Sequence, residues 1–332
     1  MKSTRILTIN VGVNLGNQDT KSVGLEGVDI FSSLATYNHK TSITMTGASD
    51  ANDPNCIYLD GVRCLVQIGE ASYGDFRFRD NDELKVLGMY AIAKQILRRS
   101  DIDMYGIVEV HMCVGLPITE YRDMANHDKL NNIFSGDTEI EYLGKKIIVR
   151  FKPNTYNNNN VLVVPECYAY FAAMKGEKGY ADFRQILVFD FGSRTIDYVK
   201  LVNGTAVLPD SIQDVGTISL MDSIRERGGD ISKLENVHFD ILFKEGTVTA
   251  NGQTYHKDEF NSEILKYAEK AHKKMIQIFG DLSKFDKIII IGGGAYLVGD
   301  FFKSNYSSNI LDIAENAEFA NANAYYKLSY MC

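Results

Sequence analysis

Two short polar stretches carry the residues best suited to grip an anion. In the first, Asn14, Gly16, Asn17, Gln18, Asp19, Thr20 and Lys21 follow an apolar run that begins at Ile6. Lys21 is a compact point charge able to neutralise a β- or γ-phosphate. In the second, the apolar run Ile186–Phe189 ends in Asp190, and Gly192, Ser193, Arg194 and Thr195 follow. Backbone N–H groups that converge in such a turn can wrap phosphate oxygens. A carboxylate at the strand end suits a hydrated Mg²⁺, a hard cation that keeps its waters. The same residues also suit two plain solvated turns, with Asp190 as a turn former.

Two further elements carry candidate chemistry. Ile288–Ile291 leads into Gly292, Gly293, Gly294 and Ala295. Glycines allow close approach of backbone to a flat or anionic ligand, and the following residues open a helix whose N-terminus favours negative charge. The pattern is not GxGxxG and lies far from the N-terminus, which makes a dinucleotide-binding dehydrogenase a poor fit. Pro165-Glu166 follows the run Val161–Val164, and Glu166–Met174 reads as a helix. Glu166 is then either a favourable first-turn acid or a group that orients water for phosphoryl transfer. The six histidines have no metal-ligand spacing, and His111 with Cys113 on one strand finds no acid partner for a triad.

These residues need a scaffold, and the sequence outlines one. Asp60-Gly61, Asn203-Gly204 and Asn251-Gly252 each separate strand-like runs and predict tight hairpins. Apolar residues Leu84, Leu87, Ala91 and Ile96 predict a helix over 84–99. Phe260, Ile264, Tyr267, Ala271, Met275 and Ile278 predict another over 258–279, capped by Asp258 and closed at Gly280. The continuous apolar runs, with Ile107–Val114 among them, predict buried strands, so the class is mixed α/β. The asparagine-rich stretch 154–160 predicts an exposed loop near a lobe boundary. Residues 13–23 and 189–199 align as strand, glycine turn, strand, which suggests two related lobes.

Composition narrows the class of function. Asp and Glu outnumber Lys and Arg by 43 to 35, a net charge of −8, which disfavours direct binding of nucleic acid by the whole surface. The five cysteines form no CxxC pair, so zinc is not expected and a reducing compartment is. No apolar run approaches the ~18 residues of a membrane helix. The residues Met1 to Arg5 have no signal-peptide pattern. The expected location is the cytoplasm, with no membrane partner.

In order and combination these elements resemble the nucleotide-binding motifs of the actin-like ATPase superfamily. Asn14-x-Gly16-x-x-x-x-Lys21 looks like its first phosphate loop, Asp190-x-Gly192-Ser193 like its second, and Ile291-Gly292-Gly293-Gly294-Ala295 like its adenosine motif. Glu166 falls where the first connecting motif places a catalytic acid or amide. Within the superfamily the chain most resembles bacterial plasmid-segregation actins of the ParM type. Supporting segments are Ile68-Gly69-Glu70-Ala71, the stretch from Val114 to Tyr121, Pro165-Glu166 and the alanine-rich stretch from Phe319 to Tyr326.

The resemblance implies an actin-like two-lobed fold of duplicated ribonuclease H-like domains around a nucleotide cleft. Residues 1–164 with 318–332 would form the first lobe and 165–317 the second. It implies ATP or ADP with Mg²⁺ as cofactors, Glu166 as the catalytic residue and Asp190 at the metal. The phosphates would fall to Asn14, Gly16, Asn17, Gln18, Asp19, Thr20, Lys21, Gly192, Ser193, Arg194 and Thr195. The adenosine would fall to Gly292, Gly293, Gly294 and Ala295. The implied function is an ATP hydrolase that polymerises into dynamic filaments for plasmid segregation. Its partners would be copies of itself and a DNA-binding adaptor protein on the plasmid. The clearest departure from the family is Asn14, which stands where the acidic residue of the first loop belongs; Ser193 and Arg194 also replace the more usual small residues. Two alternatives keep the fold, namely a small-metabolite kinase and a nucleotide-gated interaction protein with slight turnover.

Overall fold

The five apolar runs all become strands; those in 161–164, 186–189 and 288–291 are buried throughout or nearly so, whereas the strands of 6–9 and 107–114 alternate, with Thr8 exposed and Glu109 and His111 half-buried. The computed structural model describes residues 5–37, 52–67 and 79–331. Ile68-Gly69-Glu70-Ala71, His39 and Cys332 lie outside the described residues, as do Met1 to Thr4. The chain divides into two units, Met1–Met174 with Asn321–Cys332, and Lys175–Ala320.

The first unit opens with β1 (Ile6–Leu15), β2 (Asp19–Gly24), β3 (Gly27–Ser32) and β4 (Ala35–Thr36), then β5 (Cys56–Leu59) and β6 (Val62–Val66). Helix α1 (Asn81–Leu97) leads to β7 (Ile107–Leu116), α2 (Ile118–Tyr121) and α3 (Met124–Ile133). The strands β8 (Asp137–Tyr142), β9 (Lys145–Phe151) and β10 (Val161–Pro165) precede α4 (Tyr168–Met174). Asp80 caps α1, its carboxylate accepting from the N–H groups of Asp82 at 2.7 Å and Glu83 at 3.3 Å. The predicted stripe of α1 is buried, but so are Val86, Met89, Tyr90 and Ile92. Apolar on nearly every side, α1 is an interior helix. The loop 154–160 is exposed at 155–158, half-buried at Asn159 and Asn160 and buried at Asn154. The Asn154 carboxamide organises it, accepting from Tyr156 N at 3.1 Å and Asn157 N at 2.9 Å.

The second unit runs through β11 (Gln185–Phe191), β12 (Ile196–Val202), β13 (Thr205–Ile212), α5 (Thr217–Arg225) and α6 (Asn236–Glu245). The hairpin β14 (Thr247–Ala250) and β15 (Gln253–His256) precedes α7 (Asn261–Phe279), β16 (Lys287–Ile291), α8 (Ala295–Asn305) and β17 (Leu311–Ile313). Helix α9 (Ala320–Ser329) returns the chain to the first unit. All three predicted hairpins form, with positive φ at both turn residues in each. Helix α7 starts three residues later than expected. Residues Lys257–Phe260 wind as a 3₁₀ turn closed by His256 and Glu259, so Asp258 lies inside that turn and does not cap the helix. Ile278 is exposed, and the buried face of α7 is Ile264, Tyr267, Ala271 and Met275.

The two units share one sheet plan. In the first, β3-β2-β1-β7 is extended by β10 on β7; in the second the order is β13-β12-β11-β16-β17. Both begin with two antiparallel pairings and end with two parallel ones. This is the duplication that the alignment of 13–23 with 189–199 suggests. Each unit has its own apolar core, with Val11, Val13, Leu87 and Val114 in one and Phe189, Phe191, Ile290 and Phe302 in the other.

Candidate functional site

The candidate residues fall into two groups, one on each unit. In the first unit, β1 and β2 pair with Asn14 opposite Lys21 and Leu15 opposite Thr20, leaving a four-residue turn, Gly16 to Asp19. Directly opposed residues share a face, so the Asn14 amide and the Lys21 ammonium are neighbours. Asn14, Gly16, Asn17, Gln18, Asp19 and Lys21 are half-buried, while Thr20 is fully buried. The Thr20 hydroxyl lies 2.9 Å from Ser33 Oγ, which donates to Gly16 O at 2.7 Å. Ser33 N–H donates to Gln18 O at 2.8 Å. The turn is therefore fixed from below by Ser33, a residue that its own spacing does not reveal.

Glu166 belongs to the same sheet edge. Val114 of β7 is opposite both Val13 of β1 and Val163 of β10. Gly16 and Glu166 each lie three residues past that rung, at the carboxyl ends of three parallel strands. Two strand spacings put their backbones roughly 10 Å apart. The carboxyl ends of parallel strands are where α/β sheets bind ligands. The helix expected to open at Glu166 begins at Tyr168 instead. Cys167 has φ of +61°, which no α-helix accommodates, so Glu166 sits in a half-buried turn ahead of the helix. Its N–H donates to Leu116 O at 2.9 Å, which ties it to the end of β7.

In the second unit, β11 and β12 pair with Asp190 opposite Asp197 and Phe191 opposite Ile196. The turn again has four residues, Gly192 to Thr195, so Asp190 and Asp197 occupy the places of Asn14 and Lys21. Three successive carbonyls of this turn face the start of α5. Gly192 O accepts from Thr217 N at 3.1 Å, Ser193 O from Ile218 N at 2.9 Å and Arg194 O from Gly216 N at 3.1 Å. In a trans peptide the N–H points opposite to the C=O. The N–H groups of Ser193, Arg194 and Thr195 thus face away from α5, an arrangement that suits an anion. Gly216 permits the contact, because a Cβ there would overlap the backbone of Ser193 and Arg194.

Asp190 and Asp197 are each only 8% exposed. Like charges placed directly opposite on a sheet repel. Ser211 Oγ donates to Asp197 Oδ1. Among the described residues no cluster of three or more His, Cys, Asp or Glu is placed to hold a metal. Two buried carboxylates with oxygen donors fit a cation that keeps several waters, as Mg²⁺ does.

The triple glycine packs beside Asp190. Ile291 is opposite Asp190 across β11 and β16, and Gly294 N–H donates to Phe191 O at 2.8 Å. Gly292 has φ of +92°, and a Cβ there would collide with Asp190 Oδ1. Gly293 differs, since a Cβ on it would have nothing within 4 Å. Beside these glycines lies a cavity of about 440 Å³, lined in part by Ala295, Tyr296, Asp300, Asn316 and Phe319. That volume is in the range of small-molecule pockets.

Residues 12–168 match the family model for the N-terminal domain of actin-like proteins, and residues 188–304 match that for the C-terminal domain of the archaeal actin homologue MreB-like group. No curated protein matches the sequence. Among solved structures, apo pSK41 ParM is similar over 98% of this chain and 97% of its own, at 19% identity and a TM-score of 0.73. ParM from a 15-stranded filament of Clostridium botulinum is similar over 98% and 100%, at 18% identity and 0.70. Bacillus thuringiensis ParM with ATP is similar over 98% of both chains, at 15% identity and 0.66. At these identities the likeness establishes the actin-like fold.

Proposed function

We propose that this chain, which belongs to the actin-like proteins, binds ATP with Mg²⁺, hydrolyses it and couples hydrolysis to filament assembly. The observation that carries this reading is the matched pair of hairpins with opposed charge. At equivalent register positions one offers Asn14 and Lys21, and the other Asp190 and Asp197. The first suits phosphate and the second suits the cation that accompanies it. ATP in one ParM neighbour and the filament built by another support the same reading.

Each residue then has a part. Lys21 attracts the phosphates as a point charge, with Asn14, Gly16, Asn17, Gln18 and Asp19 around them, and Thr20 holds the turn through Ser33. The N–H groups of Ser193, Arg194 and Thr195, with Gly192 at the bend, take phosphate oxygens. Asp190 and Asp197 would hold Mg²⁺ through its waters, and the ion would neutralise charge on the phosphates. Gly292, Gly293, Gly294 and Ala295 admit the nucleoside. Glu166 orients the attacking water, since phosphoryl transfer depends mainly on positioning and electrostatics.

The filaments serve plasmid DNA segregation in the cytoplasm through a DNA-binding adaptor, an arrangement consistent with the net charge of −8. No helix of the described residues is long and apolar enough to cross a membrane. Asn14 favours a second reading, a nucleotide-gated interaction protein with slow turnover, because an amide adds no negative charge to the metal's surroundings. Electron microscopy of the purified chain with and without ATP-Mg²⁺ separates the two. Filaments only with nucleotide support the first reading, and unassembled particles in both conditions support the second.

A further inference from the structure

Arg79 is 4% exposed and lies against the first turn. Its Nη1 donates to Leu15 O at 2.6 Å and to Gly16 O at 3.4 Å. Its Nε is buried with no hydrogen-bond partner. No ion pair of Arg79 occurs among the described residues. A guanidinium buried this way is costly, because its charge is taken from water and no carboxylate among the described residues is in contact with it. Burial accordingly pushes its pKa down, with Glu83 and Glu120 opposing that from a distance. A second cation is close, since Lys129 Nζ donates to Arg79 O. Two cations thus lie behind the turn, with Asp80, Glu83 and Glu120 as the carboxylates around them.

The direction of the bonds matters as much as the charge. With the Leu15 and Gly16 carbonyls turned toward Arg79, their trans peptides point the N–H groups of Gly16 and Asn17 to the other side. Ser33 Oγ holds the Gly16 carbonyl in the same sense.

We propose that Arg79 is the positioning cation of an anion site on the Leu15–Asp19 turn, whose ligand is the polyphosphate chain of a nucleotide. It fixes the carbonyls on its own side, so that N–H groups face the ligand. Its buried charge is balanced when the anion arrives. The nucleotide part of this inference rests on the function proposed above; the anion site does not, and pyrophosphate probes it alone.

The test uses the full chain as wild type, R79M and R79K, with Mg²⁺-free pyrophosphate, ATP and adenosine as probes, read by thermal shift and calorimetry. Wild type should be stabilised by pyrophosphate and R79M should not. R79M should lose roughly tenfold or more in ATP affinity, the scale of a unit charge acting across several ångströms of protein. Adenosine affinity should stay the same, a split that a purely structural role would not produce. If R79M does not fold, R79K carries the test. It keeps the charge but lacks the planar fork, so its ratio of ATP to adenosine affinity should fall below wild type. Folded R79M, or R79K in its place, with wild-type pyrophosphate and ATP binding overturns the role of Arg79. Pyrophosphate stabilisation without ATP binding overturns the nucleotide reading and leaves the anion site standing. A wild type indifferent to both overturns both.

Discussion

Asp190 and Asp197 face each other across the β11–β12 pair, both buried, at the register positions that Asn14 and Lys21 occupy in the β1–β2 pair. One scaffold, used twice, thus presents two carboxylates in one unit and an amide with an ammonium in the other. Two carboxylates opposed in this way repel when both are ionised, and a divalent cation would relieve that repulsion.

Replacing Asp197 tests that relation. D197N removes the repulsion and should raise the metal-free melting temperature slightly, by the equivalent of about 0.2–1 kcal/mol. It should also weaken Mg²⁺-dependent nucleotide binding more than Mg²⁺-free binding, as should D190A. Calorimetry with and without Mg²⁺ measures both. Equal losses in the two conditions would make the pair a structural feature only.

The triple glycine makes a contrast between neighbours. G293V adds a side chain into open space, so the fold should persist while nucleotide affinity drops. G292A places a Cβ against Asp190 Oδ1 at positive φ and should destabilise the chain by about 1–3 kcal/mol. Denaturant melts and nucleotide titrations of both variants check this. A folded G293V with unchanged affinity would remove the nucleoside from this bend.

Glu166 is expected to act on water and not on binding. E166A should slow ATP hydrolysis by roughly 10²-fold or more while keeping affinity within a few-fold. Single-turnover hydrolysis, paired with a binding isotherm, separates the two effects. Hydrolysis at the wild-type rate would assign the water to another group.

His272 gives a pH signature. It packs among Phe301, Phe302 and Tyr306, with Nε2 2.5 Å from Tyr306 Oη. Burial pushes its pKa below the ordinary 6.5. The unfolded chain then binds a proton that the folded chain refuses, so stability is full above that value and is lost as pH falls through it. Burial shifts His111 the same way. H272F should therefore reduce, without abolishing, the fall in melting temperature between about pH 7 and pH 5. Coincident profiles for wild type and H272F would contradict this.

What the sequence made legible was mostly local. Asp-Gly and Asn-Gly turns, continuous apolar runs and the glycine triplet each encode their conformation within a few residues, and all formed. The glycine-turn alignment gave the correct register, with Asn14 matched to Asp190. The same count would have exposed Asp197, because a four-residue turn fixes which side chains oppose. What escaped acts through distant hydrogen bonds. Ser33 and Arg79 hold a turn far away in sequence, and the Gly216–Ile218 backbone orients the second turn. No spacing rule links them to the residues they serve. The start of α4 escaped because nothing about Cys167 announces a left-handed backbone.

If nucleotide drives assembly, light scattering across protein concentration will show a threshold that depends on the nucleotide. A heterologous contact that does not close on itself generates a filament, and a ligand favours assembly only by its differential affinity for the assembling form. With ATP-Mg²⁺ the chain should scatter above a sharp critical concentration. The signal should decay as ATP is consumed, persist longer in E166A and be weaker with ADP. Absence of a critical concentration with ATP, ADP and a non-hydrolysable analogue alike would mean that nucleotide does not drive assembly of this chain.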